Sequence, residues 1–126
     1  MEINQTEVVI NGVEYIRKDS VESPLVKAES LNGMDYVLVR TKDAGVFAGY
    51  LFEKTAIEVV VKQARRIWFW DGAASLSQLA MDGTSKPSSC KFPCEVGSIT
   101  LSQWIEIIPC TNKAMKSIKG VPIWKQ

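Results

Sequence analysis

Six consecutive residues, Arg65-Arg66-Ile67-Trp68-Phe69-Trp70, hold two guanidinium groups and three aromatic rings. Bulky rings suit a pleated surface, so the run reads as a strand. Side chains alternate along a strand. Arg66, Trp68 and Trp70 therefore share one face, and Arg65, Ile67 and Phe69 the other. One face has to be core. The other sets a guanidinium beside aromatic rings, which suits a flat anionic ligand such as a nucleotide. In the alternative reading the tryptophans fill a small core and the arginine reaches water across them. On the sequence both readings stay open.

A chain of 126 residues can enclose one core of useful size. The net charge of +1 argues against a coat for long nucleic acid, although a pocket for a small charged ligand needs only local charge. The chain has no histidine, which removes the commonest general base, the usual Ser and Cys triads and most catalytic zinc sites. A non-catalytic protein without cofactor is therefore expected. The three cysteines, Cys90, Cys94 and Cys110, are odd in number and no signal peptide is visible, so a secreted disulfide framework is not expected. They read as small apolar side chains, with a structural metal as the lesser alternative. No apolar run approaches the roughly 18 residues of a membrane span, so a cytoplasmic location is expected.

The pattern predicts an α+β fold, an antiparallel sheet core with two short helices, preceded by an N-terminal β-hairpin. Residues 1–35 carry seven acids against three bases and form the hairpin and a linker; residues 36–126 form the core domain. Val8-Val9-Ile10 and Val13-Glu14-Tyr15-Ile16 flank Asn11-Gly12, which suits a two-residue type I′ turn. Residues 19–34 read as a linker with one helical turn. Tyr36–Arg40 and Val46–Leu51 are strands around a Thr41–Gly45 turn. Gly45 and Gly49 mark a bulge or a close approach of another backbone or a ligand. Ile57–Val61 is a third strand, and the arginine–aromatic run a fourth, after a short joint at residues 62–64.

Asp71 is placed to cap a helix over residues 72–82, with Gly83 as its stop. The N–H groups of Gly72, Ala73 and Ala74 then offer a minor phosphate site. Residues 95–101 read as a second hairpin or an edge, turning at Gly97-Ser98. Residues 103–108 read as a strand ended by Pro109. Thr111 caps a last helix to about Lys119, burying Ala114, Met115 and Ile118 and leaving Lys113, Lys116 and Lys119 for solvent or an anion. Val121-Pro122-Ile123-Trp124 anchors the tail.

Four blocks of the chain carry a resemblance over roughly residues 36–126. They are Tyr36 to Leu51, Ala64 to Ala80, Ser85-Lys86-Pro87 with Cys90-Lys91-Phe92, and Ile105 to Thr111 with Val121 to Trp124. Together they resemble a small phage and prophage protein family that includes the phage anti-Thoeris sponge of cyclic ADP-ribose. The resemblance implies an oligomer that holds a cyclic nucleotide immune signal between subunits, without turnover, in the infected bacterial host. It transfers no ligand residues.

The candidate ligand residues come from the residue types themselves. Trp68, Trp70 or Phe92 can stack on adenine, worth roughly 1–3 kcal/mol per base. Arg65 or Arg66 can clamp a phosphate, and Lys91, Lys113 and Lys116 add positive charge nearby. The competing function is a non-catalytic oligomeric protein that binds a host or phage protein through the aromatic strand. An enzyme using Asp71 or Glu106 near Arg66 is weakest, because no nucleophile–base pair is present.

Overall fold

The computed structural model describes residues 26–126. The expected hairpin over residues 8–16 lies outside the described residues. Five strands form one antiparallel sheet: β1 (Tyr36–Thr41), β2 (Val46–Lys54), β3 (Glu58–Arg66), β4 (Glu95–Ser102) and β5 (Trp104–Pro109). Two helices accompany it, α1 (Leu76–Asp82) between β3 and β4, and α2 (Asn112–Gly120) after β5. The fold is α+β, as the pattern predicts.

The strand order is β4-β3-β2-β1-β5, so the two edge strands are successive in the chain. A single residue, Gln103, joins them, with φ of 59°. Neighbouring Cα atoms lie about 3.8 Å apart. The sheet must therefore curl until its edges meet at that corner. The Gln103 amide donates to the Ile57 carbonyl (2.6 Å), and the Gln103 carbonyl accepts from Lys42 N–H (3.0 Å). The corner is thus fastened to the start of β3 and to the turn after β1.

Curling gives the sheet two apolar faces. Val37, Val39, Phe47, Val59, Val61, Ala64 and Leu101 pack together on one. Leu38, Ala48, Tyr50 and Ile67 pack on the other against Leu79 and Ala80 of α1 and Ala114, Met115 and Ile118 of α2. The alternation of Tyr36–Val39 and Phe47–Tyr50 supplies both sets, as period-two patterning requires.

The third and fourth expected strands are one strand, β3, with a bulge where a joint is expected. Gln63 sits at φ 49°, and the pairing with β2 shifts by one residue between Ala48–Arg65 and Tyr50–Lys62. Gly49 lies opposite: a Cβ there would stand 2.5 Å from Val61 Cγ1 and 2.8 Å from the Lys62 carbonyl oxygen. The close approach expected of Gly49 is therefore present. The bulge resets which side chains face which way. Ala64 follows Val59 and Val61 into one core, and Arg65 goes to the helix side.

The strand does not continue through the tryptophans. Ile67 N–H donates to the carbonyl of Val46, the first residue of β2, and Glu95, the first of β4, pairs with Arg65. Both neighbours have run out there. Trp68 and Phe69 bond instead to the Lys91 carbonyl.

Other boundaries move for local reasons. α1 begins at Leu76, because Ser75 caps it by accepting from Gln78 N–H and Gln78 returns a bond to Ala74 N–H. Asp71 instead accepts from Gly72 N–H. Gly83, at φ 75°, ends the helix as expected. No turn interrupts Gly97-Ser98, where β4 pairs with β3 without a break. Residues 26–34 are no linker: Ala28 is buried and its N–H donates to Cys110. The expected helical turn there is a tight turn closed by Leu31 and Met34, with Asn32 and Gly33 both at positive φ.

Candidate functional site

Arg65 and Arg66 are adjacent in sequence and have opposite fates. Arg65 is 6% exposed. Its Nε donates to Pro93 O (2.9 Å), Nη1 to Ile118 O (2.8 Å), and Nη2 to Phe92 O (3.1 Å) and Val121 O (2.7 Å). Burial holds its pKa below the ordinary guanidinium value, and the four carbonyl dipoles keep it hydrogen-bonded. Arg65 therefore ties β3 to the chain around the end of α2. It is not the open phosphate clamp that the sequence suggests.

Arg66 is half-buried on the other face. Its Nη1 donates to the Ala44 carbonyl (2.7 Å), and its guanidinium carbon lies 4.4 Å from the Phe47 ring centre. The β1–β2 turn thus holds the arginine through a backbone carbonyl. Gly45, at φ 101°, lets that turn close beside it. Asp43, Ala44, Arg66 and Trp68 line a cleft of about 230 Å³.

Trp68 stands at the cleft edge, 64% exposed. Its ring lies parallel to that of Trp124, with centres 6.4 Å apart and planes within 10°. Trp124 is brought there by the tail: its N–H donates to Phe92 O (3.0 Å), and Ile123 bridges to Phe92. Lys91 Nζ lies 5.6 Å from the Trp124 ring. Arg66 thus shares a cleft with Trp68, Trp68 stacks on Trp124, and the Lys91 ammonium lies beside Trp124.

Of the eight residues picked from the sequence, Arg66, Trp68 and Lys91 come together. Phe92 does not join them: it is fully buried, and its ring lies under the Arg65 guanidinium (5.5 Å). Trp70 is half-buried against the core between the sheet and the helices, so the reading of it as core applies. Lys113 and Lys116 are exposed on α2, as a solvated face would be, and do not line the Arg66 cleft. The N–H groups of Gly72 and Ala74 are occupied by Asp71 and Gln78, which removes the minor phosphate site. Trp124 and Asp43 were missed. An apolar tail ending in Trp124 after Pro122 was the available signal, but only folding brings it to Trp68.

Cys90 and Cys110 are buried and Cys94 is exposed, all as free thiols. Among the described residues no group of cysteine and acidic side chains is arranged to hold a metal ion. No helix among them is long and apolar enough to cross a membrane.

No curated protein and no solved structure matches the chain. Residues 34–118 match the model of a domain of unknown function, DUF6948, and the chain belongs to that family.

Proposed function

We propose that this protein binds and sequesters a cyclic nucleotide immune signal, a cyclic ADP-ribose isomer or a cyclic oligonucleotide, without degrading it. In this reading it is a phage anti-defence protein acting as a homo-oligomer in the cytoplasm of an infected bacterium. The observation that carries the reading is the cluster formed by Arg66, Trp68, Trp124 and Lys91. Two large parallel rings left open to water favour a flat partner. Arg66 and Lys91 supply positive charge beside the rings for phosphates. Asp43, in the cleft with Arg66, can accept from a ribose hydroxyl. The resemblance to phage anti-Thoeris sponges points to the same ligand class.

A second reading has a specific support. Phe69 and Ile123, 49% and 56% exposed, adjoin Trp68 and Trp124 in sequence and add exposed apolar surface. That suits a protein partner, and a non-catalytic interaction protein is the alternative function.

A melting scan against ADP-ribose, cyclic ADP-ribose isomers and cyclic di- and trinucleotides separates the two. A ligand that binds only the folded protein at a hundredfold excess over Kd adds about 2.7 kcal/mol of stability. The sponge reading expects a shift with one class, intact ligand recovered afterwards, and loss of the shift in Arg66→Ala and Trp68→Ala with the apo melting point retained. No shift across the panel, with capture of a protein partner that Trp68→Ala abolishes, overturns it in favour of the alternative.

A further inference from the structure

A different cavity, of about 250 Å³, sits where β1, β3, β4 and the end of α2 converge; Tyr36, Arg65, Glu95, Lys119, Val121 and Ile123 line it. It shares no residue with the Arg66 cleft. Its polar groups are set by packing. The Gln63 bulge delivers Arg65 to this side of the sheet, where four of its five N–H groups are held by carbonyls. Lys119, in the last turn of α2, lies across two rings, its Nζ 5.4 Å from the centre of Tyr36 and 4.7 Å from that of Tyr50. One of its three protons goes to the Tyr50 hydroxyl (2.6 Å). Tyr36 itself is 3% exposed and packs edge-on against Tyr50.

The wall therefore presents an ammonium, a guanidinium, a buried phenol and one carboxylate. Two cations against one anion leave the cavity positive. The volume lies below the range of sites for drug-sized molecules, which fits a small ion. The carboxylate restricts which one. A carboxylate such as Glu95 accepts hydrogen bonds and does not donate them, so it repels an anion unless that anion carries a proton to donate. Monohydrogen phosphate carries one; sulfate does not.

We propose that this cavity binds inorganic phosphate, which keeps a P–OH near neutral pH, and selects it over sulfate through Glu95. Lys119 and Tyr36 donate to the unprotonated oxygens, and Glu95 accepts from the P–OH. The site does not depend on the nucleotide reading of the Arg66 cleft.

Titration calorimetry of the whole protein with sodium phosphate and with sodium sulfate, at matched ionic strength, tests this. Binding of phosphate, at least tenfold tighter than sulfate, is expected. Lys119→Gln and Tyr36→Phe should each weaken phosphate tenfold or more. Glu95→Gln, which supplies an amide donor, should bring sulfate to within threefold of phosphate. Lys119 and Glu95 are exposed residues whose replacement leaves the core intact, and an unchanged apo melting point verifies that. Arg66→Ala and Lys116→Gln should leave phosphate binding unchanged. No phosphate binding, equal affinity for the two anions in the unaltered protein, or a response lost in Arg66→Ala but kept in Lys119→Gln would each overturn the proposal.

Discussion

Arg65 donates from Nη1 to the carbonyl oxygen of Ile118, 2.8 Å away, and so joins the end of β3 to the last turn of α2. Helix C-termini leave carbonyls without partners inside the helix. Here a buried guanidinium joins the Val121 N–H on the Ile118 carbonyl, and it serves Phe92, Pro93 and Val121 as well. Arg65→Ala should cost about 3 kcal/mol, because the Pro93 and Val121 carbonyls lose the guanidinium, while Phe92 O keeps the Trp124 N–H and Ile118 O the Val121 N–H. Arg65→Lys should recover little, since one ammonium cannot span the same four oxygens. Urea denaturation measures both. A loss under about 1 kcal/mol in either would mean that water replaces the guanidinium easily.

Trp68 and Trp70 should separate cleanly. Trp70 packs on the core, so Trp70→Ala should lower stability by about 3 kcal/mol. Trp68 is 64% exposed, and Trp68→Ala should cost under about 1 kcal/mol while removing the platform beside Trp124. Thermal melting of the two apo variants is the check. Equal losses would mean that Trp68 is structural too.

Gly49→Ala should destabilise by about 1–3 kcal/mol, the usual range for overpacking. Its new methyl would meet Val61 Cγ1 at 2.5 Å and the Lys62 carbonyl at 2.8 Å, and the backbone oxygen cannot move aside like a side chain. Gly97→Ala is the internal control, because no atom lies within 4 Å of the added carbon. The denaturation midpoints of the pair should differ widely; matching midpoints would argue against the close packing of β2 on the bulge.

Alkaline pH should weaken the fold. Burial raises the Cys110 thiol from 9.0 to about 12. Its unfolded pKa is the lower one, so between those values the unfolded chain has lost a proton that the folded protein keeps. Stability is therefore fully present below pH 9 and falls as pH rises, by at most about 1.4 kcal/mol per pH unit for this group. Tyr36, raised in the same direction by burial, adds to the fall at higher pH. Melting points from pH 8 to 11 should decline less steeply in Cys110→Ala. Parallel profiles would exclude the thiol as a contributor.

The elements that sequence reading located well are those whose signals are local. Thr111 accepts from Ala114 N–H at the head of α2, and Ala114, Met115 and Ile118 are its buried stripe. Tyr36 and Val46 begin strands on either side of the expected turn. The Ser75–Gln78 capping pair and the Asn32-Gly33 turn are equally local, but Asp71 offers a competing cap four residues earlier and the polar composition of residues 19–34 resembles a linker. The candidate site was half legible. Arg66, Trp68 and Lys91 stand out by residue type, whereas Trp124 and Asp43 join them from the tail and a distant turn.

The sequence by itself determined the α+β class, the β1–β2 hairpin, the amphipathic helix α2 and the concentration of charge and aromatic rings at residues 65–70. Those follow from periodicity, capping and turn chemistry within a few residues. Only the tertiary structure decided which arginine is buried. Alternation puts Arg65 and Arg66 on opposite faces, but the bulge at Gln63 assigns the faces, and it depends on Gly49 across the sheet. Only the tertiary structure ended β3 at Arg66, because a strand continues while a neighbour can pair with it, and β2 and β4 both begin there. The tryptophans that follow are consequently released from the sheet, and Trp68 meets Trp124 at the surface while Trp70 turns back to the core.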